Sequence, residues 1–255
     1  PRPRVQSVPT RHGRVPVHVY RPPDDPHGVY VHFHGGAWLM RHPQMDDWWC
    51  RYVAATANVT VLNVDFRAGP YVQYPVAQHQ CHDVASWAAG GGDGLELDGA
   101  RIAVGGFSSG GGLAASVCLQ ARDTGSFRPR LQVLGVPALD LASDVPRGRG
   151  MISPGLRELV RRVYFPDPAS RRHPYASPLL AGDLSGLPPA VVLTAEHDTL
   201  RRDGDRYAER LRAAGVAVVH DVTPGVDHYF LTEDPVRART TMAMVTALVA
   251  DALRV

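Results

Sequence analysis

Apolar runs of strand length alternate with helix-like patterns along this chain of 255 residues. Such alternation predicts an α/β fold, in which mostly parallel strands are joined by helical crossovers that cover both faces of one sheet. The N-terminal part of the chain lacks this alternation, because two strand-like runs around Arg11-His12-Gly13 predict an antiparallel hairpin. The eight predicted strands are residues 5–8, 15–20, 29–33, 59–65, 101–105, 131–136, 190–194 and 216–222. The predicted helices are residues 44–56, 76–89, 109–122, 155–164, 203–214 and 235–253.

One long interruption, residues 139–186, separates two of the predicted strands. Segments of this length between strands usually have a function, and apolar residues between Leu156 and Val163 recur at helical spacing. We therefore predict a single domain over residues 1–255, with residues 139–186 inserted as a cap or lid. A disordered surface loop is the alternative.

The stretch Gly106-Phe107-Ser108-Ser109-Gly110 fits Gly-x-Ser-x-Gly, the tight turn that lifts a serine hydroxyl clear of a sheet. A predicted strand enters this turn and a predicted helix leaves it, which is the context that the motif requires. Ser109 is not the central serine, because Phe107 stands where the first glycine would be. Ser108 is therefore the candidate nucleophile, and a plain glycine-rich turn is the alternative.

A serine hydroxyl needs a base and a group that orients the base. His228 follows the last predicted strand in a glycine-bearing loop, whereas His220 lies inside that strand. Asp198 follows the strand 190–194 and is the preferred acid. Glu196 and Asp140, which also follow strand ends, remain alternatives. The chain order Ser, Asp, His is that of alpha/beta-hydrolases.

The segment from His34 to Trp38, directly after the strand 29–33, can supply backbone N–H groups to a developing oxyanion. Because glycine lets the backbone approach an oxygen closely, we assign Gly35 and Gly36 as donors. The N–H of Ser109 joins them. His34 is expected to be a structural hydrogen-bonding residue and not a second base.

From about Val15 onward the chain resembles the hormone-sensitive lipase-like esterases, also called the alpha/beta-hydrolase-3 family. The family's His-Gly-Gly-Gly-Trp is matched at residues 34–38, with Ala37 for the third glycine. Its Gly-Asp-Ser-Ala-Gly-Gly is matched at residues 106–111, with Phe107 for the acid and Ser109 for the alanine. Further matches are residues 64–67, 175–179, 187–190 and 207–211.

The resemblance implies an alpha/beta-hydrolase fold with an eight-stranded, mostly parallel sheet and a reduced cap, since the family's N-terminal cap helices have no counterpart in this sequence. It also implies that Asp198 is the acid and His228 the base. Short or medium acyl chains are expected, and a homodimer is compatible with the resemblance. Phe107 is expected to shape the acyl pocket or the cap contacts.

Charge and cysteine content exclude several classes of function. The formal net charge of +2 gives no reason to expect nucleic acid as a partner. No apolar run reaches the roughly 18 residues of a membrane span, and no apolar signal region follows the first residues, so we expect a cytoplasmic protein without stable membrane insertion. Cys50, Cys81 and Cys118 are odd in number and far apart, which argues against disulfides and a zinc site. No metal or organic cofactor is expected.

The sequence therefore predicts a serine esterase, a carboxylic-ester hydrolase that acts on small acyl esters through an acyl-enzyme. An amidase-type acyl hydrolase and a non-catalytic ligand-binding protein on the same scaffold are the alternatives. Six aromatic residues could line the pocket or pack in the core: Trp38, Tyr71, Tyr74, Phe107, Tyr229 and Phe230.

Overall fold

The computed structural model describes residues 3–143 and 150–254, whose strands form one eight-stranded sheet. The strands are β1 (Arg4–Thr10), β2 (Gly13–Tyr20), β3 (Val29–Phe33), β4 (Thr60–Val64), β5 (Ile102–Phe107), β6 (Leu131–Gly135), β7 (Ala190–Ala195) and β8 (Val218–Thr223). The helices are α1 (Asp47–Ala57), α2 (Val76–Ala89), α3 (Ser109–Thr124), α4 (Pro154–Val163), α5 (Arg201–Ala213), α6 (Phe230–Glu233) and α7 (Pro235–Arg254). Short 3-10 turns lie at Pro43–Asp46, Ser170–Arg172 and Pro178–Leu180.

The strand order is β1-β2-β4-β3-β5-β6-β7-β8. The predicted eight strands and the N-terminal hairpin are confirmed. The sequence did not predict that β2 also pairs antiparallel with β4, so the sheet has two antiparallel pairings instead of one. From β4 to β8 all pairings are parallel. The carboxyl ends of these strands therefore meet at one edge of the sheet.

Helices cover both faces of the sheet, as predicted. On one face α2, α3 and α5 contribute Val84, Leu113 and Tyr207 to the larger core. On the other face α1 and α7 contribute Trp49 and Val249. Strands β3 to β7 are buried at every residue, which explains why their sequences are continuous apolar runs and not alternating ones. The three cysteines are buried free thiols.

The predicted cap of residues 139–186 lies partly outside the described residues, since 144–149 belong to neither described range. Within it α4 confirms the predicted helix. Its N-terminus is capped by Ser153, whose hydroxyl accepts from the N–H of Leu156 at 3.1 Å. Val160 of this helix is buried, whereas Leu159 is exposed. Among the helices of residues 3–143 and 150–254, none has the length and apolar character needed to cross a bilayer.

The turn between β5 and α3 is packed directly against the end of β3. Phe33 pairs with Gly106 in the parallel register of β3 and β5. A Cβ atom on Gly106 or on Gly110 would overlap the carbonyl oxygen of Phe33, and one on Gly110 would also lie 2.7 Å from the carbonyl oxygen of His34. Both glycines of the motif are therefore required by backbone contact and not by local backbone freedom.

We expect Gly110→Ala to destabilise the protein by at least about 2 kcal/mol, because the added methyl group overlaps backbone that cannot move independently. Replacing glycine by alanine inside a helix normally stabilises a protein, so a loss of stability here would be evidence for the steric overlap. Denaturant unfolding of the purified variant measures the change. Gly182→Ala is the matched control, since a Cβ there meets nothing within 4 Å, and it should change stability by less than about 0.5 kcal/mol. Equal stability of the two variants would contradict the packing argument.

Candidate active site

Ser108 lies in the sharp turn between β5 and α3, with φ 56° and ψ −118°. A positive φ is strained for a residue that carries a side chain. Neighbouring backbone holds this conformation, because the N–H of Ser108 donates to the carbonyl of Gly135 at 2.8 Å and its own carbonyl accepts from the N–H of Ala138 at 3.1 Å. The Ser108 side chain is left at the edge of the sheet where the parallel strands end.

His228 and Asp198 form a buried hydrogen bond in the loops that follow β8 and β7. The Nδ1 atom of His228 lies 2.7 Å from Oδ2 of Asp198, and their side chains are 1% and 0% exposed. The other carboxylate oxygen accepts from the N–H of Leu200 at 2.9 Å. Because a carboxylate accepts, Nδ1 of His228 is the donor of this hydrogen bond, and Nε2 is the ring nitrogen that remains. No group of the described chain is hydrogen-bonded to that Nε2.

The alternative acids and the alternative base have other partners. Glu196 accepts from the N–H of Gly225 at 2.6 Å, in the loop that leads to His228. Asp140 accepts from the N–H groups of the two residues that follow Leu141. His220 pairs with Asp205 at 3.1 Å, beside Thr194. None of these hydrogen bonds includes His228.

In the segment after β3, the carbonyls of both glycines accept hydrogen bonds from the segment itself. The carbonyl of Gly35 accepts from Nδ1 of His34 at 2.7 Å, and that of Gly36 accepts from the N–H groups of Leu39 and Met40. Within the part of the chain that the structure describes, the N–H groups of Gly35, Gly36 and Ser109 have no acceptor. These are the three N–H groups that the sequence predicts as oxyanion donors.

The His34 side chain stabilises the segment after β3 by its hydrogen bond to the carbonyl of Gly35. Its ring stacks on Phe66, with ring centroids 4.3 Å apart. Burial lowers the pKa of His34 to about 4, so the ring is neutral at pH 7. A neutral ring protonated on Nδ1 donates to the Gly35 carbonyl, which agrees with the structural role predicted for this residue.

Two cavities meet at Ser108. The larger, of about 230 Å³, also includes His228, Gly35 and Gly36. The smaller, of about 40 Å³, includes Ser109 and apolar side chains of the cap. Of the six aromatic candidates, Phe107 and Tyr229 line the larger cavity and Trp38 lines the smaller one, whereas Phe230 is buried, Tyr74 packs against Phe165 and Tyr71 is exposed.

Two polar residues beside the larger cavity were missed from the sequence. His32 lies in β3, and its Nε2 is 2.8 Å from Oδ2 of Asp46. Asp46 lines the cavity next to Met45 and Trp48. The only sequence signal was a histidine inside an otherwise apolar strand, and that signal does not identify a partner. Over residues 3–143 and 150–254, no group of three or more His, Cys, Asp or Glu side chains is placed to hold a metal ion.

Comparisons with known proteins agree on one fold. A family model described as an alpha/beta hydrolase fold matches residues 30–232. An arylesterase of Saccharolobus solfataricus is 36% identical over 244 residues, covering 93% of this chain and 79% of that protein. An ethyl acetate hydrolase of Pseudomonas putida is 36% identical over 236 residues, covering 88% of this chain and 74% of that protein. The solved structure of an esterase from Pyrobaculum calidifontis superposes with a TM-score of 0.93 at 34% identity, covering 100% of this chain and 86% of that one.

Ala37, which stands where the sequence pattern has a third glycine, has φ 58°. We expect Ala37→Gly to stabilise the protein by about 0.5–1 kcal/mol, because relief of the left-handed strain exceeds the added entropy of the unfolded chain. Urea unfolding checks the sign. The control Ala55→Gly, at an exposed position of α1, should cost about 1 kcal/mol. A loss of stability in Ala37→Gly equal to that control would contradict the strain argument.

Proposed function

This chain belongs to the alpha/beta-hydrolase-3 family and is a carboxylic-ester hydrolase, and we propose that it works through an acyl-enzyme formed on Ser108. The observation that carries this proposal is the His228 imidazole. Its Nδ1 is fixed 2.7 Å from Asp198, and its free Nε2 belongs to a ring that lines the same cavity as Ser108. A base in that state can accept the hydroxyl proton during attack.

In the proposed reaction, Oγ of Ser108 forms a bond to the ester carbonyl carbon while its proton passes to Nε2 of His228. The carbon–oxygen bond to the alcohol then breaks, and His228 returns the proton to the leaving alcohol. Water attacks the acyl-enzyme by the same route, with His228 as base, and releases the carboxylic acid and free Ser108. Asp198 keeps the imidazole in the required tautomer and stabilises the imidazolium that forms.

The N–H groups of Gly35, Gly36 and Ser109 are proposed as the oxyanion hole. Their lack of acceptors supports this role, because a buried N–H without a partner costs free energy in the resting protein. The negative oxygen of the tetrahedral intermediate would supply the missing acceptor. The stabilisation would then arise as charge develops on that oxygen, which lowers the barrier.

The two cavities support an orientation for the ester. His228 must reach the leaving alcohol, and His228 lines the larger cavity, so the alcohol part is placed there. The acyl part is then placed in the smaller cavity of about 40 Å³, which favours the short end of the expected range of acyl chains.

A cap formed by residues 139–186 of a single hydrolase domain is part of this proposal. A cytoplasmic location and a homodimer remain predictions.

We expect Ser108→Ala to lower kcat for p-nitrophenyl acetate by roughly 10⁴-fold or more, because no nucleophile replaces the hydroxyl. The assay is release of p-nitrophenolate by the purified variant, with unfolding curves to verify the fold. Ser7→Ala, at an exposed position of the edge strand β1, is the matched control and should retain full activity. Turnover of Ser108→Ala within tenfold of the parent would refute the assignment.

We also expect Asp198→Asn to lower kcat by about 10³–10⁴-fold, because an amide no longer holds the proton on Nδ1 of His228. Asp140→Asn removes a carboxylate that accepts from the N–H groups of Ala142 and Ser143 and makes no hydrogen bond to His228 in the described chain, so its kcat should stay within a few-fold of the parent. The comparison of the two variants tests which carboxylate serves the base. A larger loss in Asp140→Asn would reject Asp198.

A further inference from the structure

The larger cavity contains a carboxylate that the proposed reaction does not use. Asp46 is 5% exposed and lines this cavity together with Ser108 and His228. A buried carboxylate is costly unless its charge has a partner. The groups around Asp46 therefore indicate what kind of ligand its carboxylate could bind.

Asp46 occupies the N-cap position of α1, where an aspartate side chain usually accepts hydrogen bonds from the first turn of the helix. Here the side chain makes no capping hydrogen bond. Its Oδ2 atom instead accepts from Nε2 of His32 at 2.8 Å. Its Oδ1 atom has no hydrogen-bond donor among residues 3–143 and 150–254, and the side chain keeps 8% of its surface exposed.

The pair of His32 and Asp46 carries the negative charge of the carboxylate. Nδ1 of His32 is buried and has no partner in the described chain, so a second proton on that ring would have no acceptor. Of the ion pairs formed by described residues, the only one that includes Asp46 is this one with His32. Tyr229, which lines the same cavity, has a pKa raised first by burial and then by the nearby Asp46.

Aromatic rings form much of the wall around this charge. Trp48, Phe107 and Tyr229 line the same cavity, and the rings of Trp48 and Phe107 are stacked with centroids 6.3 Å apart. Aromatic faces attract cations, most strongly where water is excluded. A carboxylate oxygen without a donor, beside aromatic rings, is a suitable environment for a positively charged nitrogen.

We propose that the larger cavity selects esters whose alcohol part carries an ammonium group, with Asp46 as the counter-charge. This inference rests on the proposed function, which places the leaving alcohol in the cavity that His228 lines. Hydrolysis follows the sequence of bond changes given above, with the amino alcohol as the leaving group. Asp46 is thus a specificity-determining residue for the reaction of Ser108.

The test compares acetylcholine with 3,3-dimethylbutyl acetate, two esters that differ only in a charged nitrogen against a neutral carbon. Acetic acid release, followed by titration at constant pH, gives kcat/KM for each. We expect the parent protein to favour the cationic ester by on the order of tenfold, as a desolvated cation near a carboxylate and aromatic rings requires.

Asp46→Asn removes the charge and keeps an oxygen that can accept from His32. We expect the ratio of the two kcat/KM values to fall to about one in this variant. Because the ratio is taken within one protein, a general loss of activity cancels. Asp47→Asn is the matched control: it removes the same charge one residue away, from a carboxylate bound to Tyr20 and Arg51, and should keep the parent ratio.

A parent ratio of one or less, or a ratio unchanged by Asp46→Asn, would overturn the inference. If Asp46→Asn does not fold, inhibition of the parent protein by tetramethylammonium and by tert-butanol replaces it, with p-nitrophenyl acetate as substrate. Competition by the cation alone supports the inference, and equal or absent competition overturns it. Failure of the parent to hydrolyse p-nitrophenyl acetate would instead reject the proposed function, so the two failures are distinguishable.

Discussion

The close backbone contact between the end of β3 and the turn after β5 is the constraint on which the rest of the structure depends. Gly106 and Gly110 allow the carbonyl of Phe33 to approach the turn more closely than any side chain would permit. The same contact keeps the segment after β3 beside Ser108, where a Cβ atom on Gly35 would lie 3.7 Å from the Cβ atom of Ser108. The proposed nucleophile and the proposed oxyanion donors are therefore positioned by one packing arrangement between two neighbouring strands.

Two buried hydrogen bonds between histidine and aspartate lie at the larger cavity, and they have opposite consequences. In the pair of His228 and Asp198 the carboxylate is buried, and the ring nitrogen Nε2 has no partner among the described residues. In the pair of His32 and Asp46 the ring is sealed, and a carboxylate oxygen is left without a donor. In each pair, burial thus decides which member keeps an atom without a hydrogen-bond partner.

The two departures from the family's sequence pattern have different physical effects. Ala37 takes a left-handed backbone conformation that glycine would adopt without strain, so its effect is a cost in stability at the loop that supports the oxyanion donors. Phe107 replaces an acid with a ring that packs against His32, Trp48 and Trp49. That ring also fills the space above Gly135, where a Cβ atom would overlap it. It therefore shapes the wall of the larger cavity, which is proposed for the alcohol part, whereas the sequence led us to expect it at the acyl pocket or the cap contacts.

The eight strands, the turn at Ser108 and the loops that hold Asp198 and His228 could be predicted from the sequence, because apolar periodicity and glycine spacing are local signals. The pairing of β2 with β4 became known only from the packed chain, which also places Asp198 beside His228, as the sequence preferred, where strand ends alone had left Glu196 and Asp140 open. All three carboxylates follow strand ends, so their sequence contexts are alike. The contact between His32 and Asp46 was equally invisible. Such choices depend on how distant segments pack side by side, and no local pattern encodes that distance.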